Sequence, residues 1–281
     1  MKYSIIIPTY NSKRLTIPLI EQVLSERIQA VEILVIDDCS DDDTYTILRQ
    51  KFARKIQILR NKNRLYVAYS RNRGINESVG DTLVFIDGDV IFTSGMLRGF
   101  LEQVSAGFNF PKLQWENGEH MPLNTSSVFA VQREVLKNLN GNLFDENIGI
   151  YGDDTEFFIK AKKLKIPFFV DGGHIFENQK APNSSSIKNS TDFQYFMSYK
   201  NRIYIELKFI NIIEGYTAST FLMLVLKNFG RVLQNIVLND FRRASLILKG
   251  LVWNIMNVQR CLDERSKLHA LITAKNRKKS T

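Results

Sequence analysis

Short apolar runs alternate with segments of helical periodicity along the first 90 residues. The apolar runs are rich in β-branched and aliphatic residues, as in strands that are buried on both faces. Between them, apolar residues recur at the spacing of amphipathic helices. The predicted strands are 5–7, 31–36, 56–59 and 83–86, and the predicted helices are 15–28, 43–52 and 65–79. This alternation with short connections predicts the α/β class, with a doubly wound, mostly parallel sheet.

Polar residues follow three of these predicted strands at the point where each strand ends. The three clusters are Thr9-Tyr10-Asn11, Asp37-Asp38 and Asp87-Gly88-Asp89. In doubly wound sheets, ligands bind at the carboxyl ends of the strands. Three polar clusters at three such ends therefore predict a single binding site at one edge of the sheet.

The pair Asp87 and Asp89 comes directly after the apolar run 83–86. Burying two carboxylates at a strand end is costly unless a partner compensates for the lost hydration. A divalent cation that carries a phosphate is such a partner, because Mg²⁺ and Mn²⁺ are usually held by one or two carboxylates plus substrate phosphates. A strand followed by an Asp-Gly turn is the plainer alternative. This stretch alone leaves both interpretations open.

The remainder of the sequence divides into two regions. Helices are predicted at 94–105, 133–139 and 153–164, strands at 127–131 and 167–170, and irregular structure at 108–124. From Asp192 onward the pattern is wholly helical, with segments near 192–212, 216–239 and 241–268. We therefore predict a sheet domain at 1–190, with a Ser- and Asn-rich loop at 178–191, followed by an all-helical region at 191–281.

The net charge of +9 is unevenly distributed along the chain. Residues 200–281 contain 15 Lys and Arg against 5 Asp and Glu, whereas residues 1–199 contain 23 against 24. Basic residues interrupt the apolar positions of the predicted helices, as in helices that lie on an anionic membrane surface. A helical bundle with a solvated basic face explains the pattern equally well. The apolar run 218–226 is too short to span a bilayer, which requires about 20 residues.

Two further features concern location and partners. Cys39 and Cys261 lie far apart, which argues against a disulfide scaffold or a zinc cluster. The first residues lack the pattern of a signal peptide, so we expect a cytoplasmic location, with peripheral contact at the cytoplasmic face of a membrane through 191–281. Few aromatic residues are interleaved with the basic ones, so no nucleic-acid partner is expected, and a basic nucleic-acid-binding protein is the weaker alternative.

Five short motifs, in order, resemble those of the family-2 glycosyltransferases, which have the nucleotide-sugar-binding GT-A fold. The motifs are Ile5–Asn11, Glu32–Asp41, Ser70–Asp81, Asp87–Asp89 and Gly152–Glu156, and the similarity covers about 1–180. The resemblance implies an inverting, metal-dependent transfer from a nucleotide-diphosphate sugar, with UDP as the first expectation. The implied acceptor is a saccharide or a lipid-linked glycan.

The resemblance also implies a set of nucleotide-binding residues. They are Pro8, Tyr10, Asn11, Asp38, Arg71 and Asp87. The chemistry is consistent, since a tyrosine ring can stack on a nucleobase and a carboxylate can accept from the N–H of uracil. Plainer roles remain open for some of them: packing for Tyr10, a turn or helix cap for at least one of the pair Asp37-Asp38, and a solvated helix position for Arg71.

For the metal, Mn²⁺ or Mg²⁺, the resemblance implies Asp89 as the direct ligand together with Asp87. For catalysis it implies Asp154 as general base, with Asp153 as the neighbouring alternative, although both could simply cap a helix. Family members often carry a histidine 20–25 residues after the catalytic aspartate. Here Glu177 falls nearest to that position and His174 lies three residues earlier, so either one is a candidate third metal ligand.

A sugar nucleotidyltransferase is the alternative enzyme class, because it shares a similar sheet and a metal held by carboxylates. Such enzymes usually have a Gly-rich phosphate loop with a basic residue near the first strand. The segment 8–12 has no such loop, so glycosyl transfer is preferred.

Overall fold

The computed structural model describes residues 2–28, 30–115, 117–121, 125–137, 139, 143–179 and 191–277. Contacts divide the chain into two compact units. The first consists of Met1–Gly149 and Ile166–Pro182, and the second of Ile150–Lys165 and Asn183–Thr281. This division groups 150–165 with the C-terminal helices, whereas the sequence-based boundary at 190 did not. That boundary, like the predicted loop at 178–191, lies largely outside the described residues and stays a prediction.

The described part of the first unit contains an eight-stranded mixed sheet. The strands are β1 (Tyr3–Thr9), β2 (Ala30–Asp37), β3 (Gln57–Arg60), β4 (Thr82–Ile86), β5 (Val90–Ile91), β6 (Phe108–Trp115), β7 (Val128–Gln132) and β8 (Phe168–Asn178). Their order is β3-β2-β1-β4-β7-β6-β8-β5. The first four are parallel, as are β6 and β8, whereas β7 and β5 pair antiparallel to their neighbours. The predicted α/β class with a mostly parallel sheet is confirmed.

Helices cover both faces of the parallel strands. In the first unit they are α1 (Lys13–Ser25), α2 (Thr44–Phe52), α3 (Tyr66–Glu77), α4 (Met96–Glu102) and α5 (Arg133–Lys137). Ile5 and Ile7 pack in a cluster that includes Leu19 of α1, whereas Ile6 of the same strand lies against Gly74 of α3. Alternate residues of one strand therefore face opposite helical layers, which explains the unbroken apolar run. Burial of each such side chain contributes roughly 1.5–3 kcal/mol.

The parallel register brings three strand ends to one edge of the sheet. Thr9 of β1 pairs with Asp37 of β2, and Ile6 pairs with Phe85 of β4. Because β1 lies between β2 and β4, the residues that follow all three strands emerge side by side. The sheet thus produces the arrangement that the sequence predicted for its polar clusters.

Strand β6 was not predicted, since 108–124 looked irregular. It pairs with β8, and the register shifts from Pro111 opposite Asp171 to Lys112 opposite Ile175. Residues 172–174 are therefore left without partners in a bulge of β8. The strand predicted at 167–170 therefore ends too early, because the Gly-Gly pair in the bulge resembles a turn in sequence, whereas β8 continues to Asn178.

The second unit is helical. Its described helices are α6 (Asp153–Lys163), α7 (Asp192–Phe209), α8 (Ala218–Val237), α9 (Phe241–Met256) and α10 (Val258–Arg277). The capping boxes at Thr191 and Thr217 fix the starts of α7 and α8. The single helix predicted at 241–268 is two helices, which separate at Asn257. Among the described residues, no helix is long and apolar enough to cross a membrane.

Candidate active site

Asp87 follows β4 and is held by a buried arginine. The Nη2 of Arg71, on α3, donates to Asp87 Oδ1 at 2.7 Å, and its Nη1 donates to Ser126 Oγ at 2.8 Å. The Arg71 side chain is only 2% exposed. It is therefore not the solvated helix residue considered as an alternative. Its buried charge and that of Asp87 compensate each other, and their hydrogen bond orients the Asp87 carboxylate.

Asp89 is 7% exposed and approaches the far end of β8. Asn178 Nδ2 donates to Asp89 Oδ1 at 3.3 Å, and the N–H of Gln179 donates to the Asp89 carbonyl at 2.9 Å. Asn178 lies opposite Val90 in the pairing of β8 with β5. Sequence reasoning missed Asn178. The signal was a polar residue two positions after the apolar pair Ile175-Phe176, but β5, the short strand that pairs with it, was not predicted.

Gly88 separates the two carboxylates and packs tightly against the start of α1. A Cβ at Gly88 would lie 2.8 Å from Thr16 Oγ1 and 3.3 Å from the Pro8 carbonyl oxygen. Thr16 belongs to a cluster of three hydroxyls, in which Thr9 Oγ1 lies 2.7 Å from Ser12 Oγ and 2.8 Å from Thr16 Oγ1. Because Gly88 has no side chain, the backbone of the Asp-Gly-Asp turn can pack closely against these hydroxyls.

Asp37, at the end of β2, stabilises the turn that follows this strand. Its carboxylate accepts from Ser40 Oγ at 2.5 Å and from the Ser40 N–H at 3.2 Å. Burial raises the pKa of Asp37, and these hydrogen bonds and the nearby Arg60 oppose the rise. Asp37 therefore has the turn role that was expected for one member of the pair.

Asp38 is buried beside it and organises the entry to α3. Its carboxylate accepts from Asn61 Nδ2 and from the Leu65 N–H, both at 2.8 Å, and from the Tyr66 N–H at 2.7 Å. Tyr66 has a positive φ of 68°, which is uncommon for a bulky residue. The hydrogen bond to Asp38 helps to hold this conformation. Asp38 thus positions the start of α3, which agrees with the turn or capping role left open for this pair.

Tyr10 and Asn11 form the loop after β1. The Arg64 guanidinium lies 3.9 Å from the centroid of the Tyr10 ring, so a planar cation already stacks on it. Asn11 has φ of 47°, and its Oδ1 accepts from the Asp41 N–H at 3.1 Å. Pro8 lies within β1, opposite Ile36. The loops after β1 and β2 are therefore joined directly at the edge of the sheet.

His174 and Glu177, the two candidates for a third metal ligand, have other neighbours. His174 lies in the bulge of β8, where its Nδ1 bonds the Asp171 carboxylate and its ring lies against Gly99 of α4. Glu177 accepts from Gln179 Nε2 at 2.6 Å. Within the described residues, no three His, Cys, Asp or Glu side chains form a metal-binding group. Neither candidate therefore completes a cluster with Asp87 and Asp89 here.

Asp153 and Asp154 belong to the second unit, at the start of α6. Gly152, with φ of 120°, is the N-cap residue, so the two aspartates occupy the first helical positions rather than the cap. Their charges are favoured there by the helix dipole. One turn later, Glu156 is 0% exposed and accepts from Lys208 Nζ at 2.8 Å and Lys160 Nζ at 3.2 Å. This buried cluster fixes the first turn of α6 to α7.

Comparison with known proteins agrees with this architecture. The model of the family described as "Glycosyl transferase family 2" matches residues 4–164. The chain belongs to glycosyl transferase family 2. One family relative is the GalNAc(5)-diNAcBac-PP-undecaprenol beta-1,3-glucosyltransferase of Campylobacter jejuni, which is 29% identical over 38% of this chain and 36% of its own length. Four curated relatives are matched over 19–36% of their own lengths, so the chain spans only about a third or less of them.

Solved structures of other glycosyltransferases share the fold. Staphylococcus aureus TarS 1–349 in complex with UDP-GlcNAc is similar with a TM-score of 0.57 and 19% identity, over 74% of this chain and 67% of that one. The mannosyltransferase PcManGT from Pyrobaculum calidifontis, in complex with GDP-Man and Mn²⁺, has a TM-score of 0.58 and 15% identity, over 98% and 86%. The fold of this family-2 protein is thus of the GT-A type, as its motifs predicted.

Proposed function

We propose that this protein is a metal-dependent, inverting glycosyltransferase that uses a nucleotide-diphosphate sugar, with UDP as the preferred nucleotide. The observation that carries the proposal is the parallel register of β2, β1 and β4. It brings the loop of Tyr10, the Asp38 carboxylate and the Asp87-Gly88-Asp89 turn to one edge of the sheet. Family membership makes donor binding the best-supported use of that edge.

The residues at the end of β4 fit a hard divalent cation. Asp89 and Asp87 offer carboxylate oxygens, which Mn²⁺ and Mg²⁺ prefer, and donor phosphates would supply the remaining ligands. We propose Asp89 as the direct ligand and Asp87 as its neighbour, kept in place by Arg71. When bound, the metal would neutralise the charge that develops on the leaving diphosphate. The PcManGT structure, which contains Mn²⁺ and GDP-Man, supports this proposal by analogy. His174 and Glu177 remain predictions for a further ligand.

The nucleotide would be held by the ends of β1 and β2. Tyr10 offers a ring face for stacking, as its contact with Arg64 illustrates. Asp38, held by three protein donors, is the proposed acceptor for a nucleobase N–H. We propose that Pro8, near the end of β1, and Asn11, in the same loop as Tyr10, also line the nucleotide site. The preference for UDP is supported by the TarS complex with UDP-GlcNAc, and GDP is the alternative that the PcManGT complex suggests.

Asp154 is the proposed general base. In a single displacement, the acceptor oxygen attacks the anomeric carbon, the bond between that carbon and the diphosphate oxygen breaks, and the acceptor proton moves to Asp154. Asp154 lies in the first turn of α6, where the helix dipole favours a negatively charged side chain. Asp153 is the neighbouring alternative. No covalent intermediate forms, so the anomeric configuration inverts.

The proposed acceptor is a saccharide or a lipid-linked glycan. The Campylobacter jejuni relative is named for an undecaprenol-linked acceptor, and a Staphylococcus aureus relative, TarS, for poly(ribitol-phosphate). Together with the basic helices, the acceptors in these names support our proposal that this protein makes peripheral contact with the cytoplasmic face of a membrane. We propose no nucleic-acid partner.

The decisive experiment measures nucleotide release from a panel of UDP- and GDP-sugars, with Mn²⁺, with Mg²⁺ and after chelation. We expect UDP release from at least one UDP-sugar, loss of that release on chelation, and recovery when Mn²⁺ is restored. Release that is unaffected by chelation would remove the metal from the proposal. Formation of a nucleotide-sugar from a sugar phosphate and UTP would instead indicate a nucleotidyltransferase.

A further inference from the structure

Helix α8 carries an apolar stripe that the fold does not cover. Its members recur every three or four residues and therefore share one face of the helix. They are Leu222, Leu226, Phe229, Leu233 and Ile236, with exposed fractions between 41% and 64%. The residues that α8 does bury, among them Leu224 and Val232, lie on a different face. The fold therefore uses one apolar face of α8 and leaves a second one in contact with solvent.

Exposed apolar side chains also occur in the connection between α8 and α9. Val237 and Leu238 at the turn are exposed, and so is Phe241, the first residue of α9. We call the whole set the hairpin face; it consists of Leu222, Leu226, Phe229, Leu233, Ile236, Val237, Leu238, Phe241, Leu248, Val252 and Ile255. Exposed apolar patches larger than a few hundred Å² are rare on soluble proteins and mark interaction sites.

The charge around the hairpin face distinguishes between two possible partners, a second copy of the chain and an anionic lipid surface. Residues 218–256 contain five basic side chains, Lys227, Arg231, Arg242, Arg243 and Lys249, and a single acidic one, Asp240. Asp240 is committed to the fold, because it caps α9 by accepting from the Arg243 N–H at 3.0 Å. Three of the basic residues also contact the fold: Arg242 pairs with Asp192 at 2.5 Å, and Arg231 and Arg243 lie over tyrosine rings of α7. Lys227 and Lys249 form no ion pair among the described residues, so they carry most of the charge that a partner could meet. A second copy would bring the same excess of positive charge to a shared interface. Anionic lipid phosphates are complementary to it, and the apolar side chains would enter the acyl region beneath them.

We propose that the hairpin face docks on the surface of an anionic lipid bilayer, with α8 and α9 lying along it. Leu226 and Leu233 would be inserted, while Lys227 and Lys249 would reach the lipid headgroups with their charged ends. This inference deepens the proposed function, on which its biological meaning rests. Docking itself needs no sugar transfer, so the two can fail separately.

The test is co-sedimentation of the full chain with vesicles of phosphatidylcholine alone and with vesicles that also contain phosphatidylglycerol. Leu226→Ser/Leu233→Ser removes apolar surface from the hairpin face, and Val79→Ser/Val170→Ser is the matched control, because both valines are exposed in the first unit. Lys227→Gln/Lys249→Gln removes charge, with Lys55→Gln/Lys62→Gln as its control. UDP release and circular dichroism are measured on every variant.

We expect the unmodified chain to bind the anionic vesicles and to be released by high salt. The leucine variant should lose at least tenfold in partitioning, the lysine variant should lose most of its salt-sensitive binding, and both controls should bind normally. Asp154→Asn should bind vesicles as well as the unmodified chain does. Failure of the unmodified chain to bind, or normal binding by the leucine variant, would overturn the proposal. So would a dimer in solution that the leucine variant converts to monomers, since a second copy would then occupy the face.

Discussion

The two units differ in which energetically costly groups they contain: the first unit buries charged side chains, and the second exposes large apolar ones. In the first unit, the apolar residues of the central strands are buried, and charged groups such as Asp38, Arg71 and Asp89 are buried with them at one edge. In the second unit, large apolar side chains of the hairpin face are exposed to solvent. A buried charge requires compensating partners. Covering an exposed apolar surface removes it from water and lowers the free energy of the system.

The difference indicates what each unit is suited to bind. The first unit already supplies internal partners for its buried charges, and its strand ends offer oxygens and a ring to a polar, anionic ligand. The second unit offers an apolar surface bordered by positive charge. A donor nucleotide suits the first description and a lipid surface suits the second. The tests below are ordered from the largest expected effect to the smallest.

The largest effect is expected from Asp154→Asn, which tests whether the helical unit takes part in the chemistry. Loss of a general base costs about 10²–10⁴-fold in kcat. Binding of UDP should be unchanged, because the residues proposed to bind the nucleotide belong to the first unit. Single-turnover kinetics and UDP titration measure the two quantities, with exposed Asp263→Asn as control. Near-normal turnover would show that Asp154 is not the base.

Asp89→Asn tests the opposite assignment. Removing the proposed direct metal ligand should reduce turnover by about a hundredfold, since a bound metal would contribute several kcal/mol to the stability of the transition state. Unlike the Asp154 variant, it should also weaken UDP binding in the presence of Mn²⁺ while leaving binding without metal nearly unchanged. Calorimetry with and without Mn²⁺ distinguishes the two, and Asp81→Asn serves as the exposed control. Equal Mn²⁺ enhancement in both proteins would contradict the assignment.

A pair of substitutions on α8 tests the two faces of that helix directly. Leu224 is 5% exposed and Leu226 is 59% exposed. Leu224→Ala should lower the free energy of unfolding by about 2–4 kcal/mol, through lost burial and the cavity left behind. Leu226→Ala should change it by less than about 0.5 kcal/mol. Urea denaturation of both variants measures the difference, and comparable losses would mean that the fold covers Leu226 in solution.

The smallest effect concerns pH in the helical unit. Burial, reinforced by Tyr199, raises the pKa of Tyr195 to about 12, compared with about 10 in an unfolded chain. The folded state thus holds this proton more tightly. Stability from this source is intact below about pH 10 and declines as the pH rises towards 12. Tyr195→Phe should therefore flatten the decline of the urea midpoint over this range. An unchanged decline would assign it to other groups, such as Tyr216.

Much of the first unit could be predicted, because its central strands are encoded locally. Runs such as Ile5–Ile7 are apolar throughout, since helices cover both faces, and the loops that follow them carry short motifs. Strand β6 could not be predicted in this way. Its residues, including Pro111 and Lys112, show no clear period, and the strand is defined by its pairing with the bulged β8.

The candidate site shows the same division. The motifs identified Asp38, Asp87 and Asp89, but not what holds them. The Arg71–Asp87 pair joins α3 to the end of β4, and the Asn178–Asp89 contact joins residues 89 positions apart. Such contacts depend on the three-dimensional packing of elements that are distant in sequence. Sequence patterns singled out the candidate site residues, Arg71 among them, whereas the structure was needed to show which side chains contact and orient one another.

The buried Glu156–Lys208 pair has a consequence for how the enzyme could change its acceptor. It ties the helix of the proposed base to α7, and α7 packs in turn with the helices of the hairpin face. The group proposed to take the acceptor's proton and the surface proposed to meet its lipid anchor therefore belong to one helical module, the second unit. The residues proposed to bind the water-soluble donor belong to the first unit. Exchange of that helical module between relatives would be a route to a new acceptor with the old sugar.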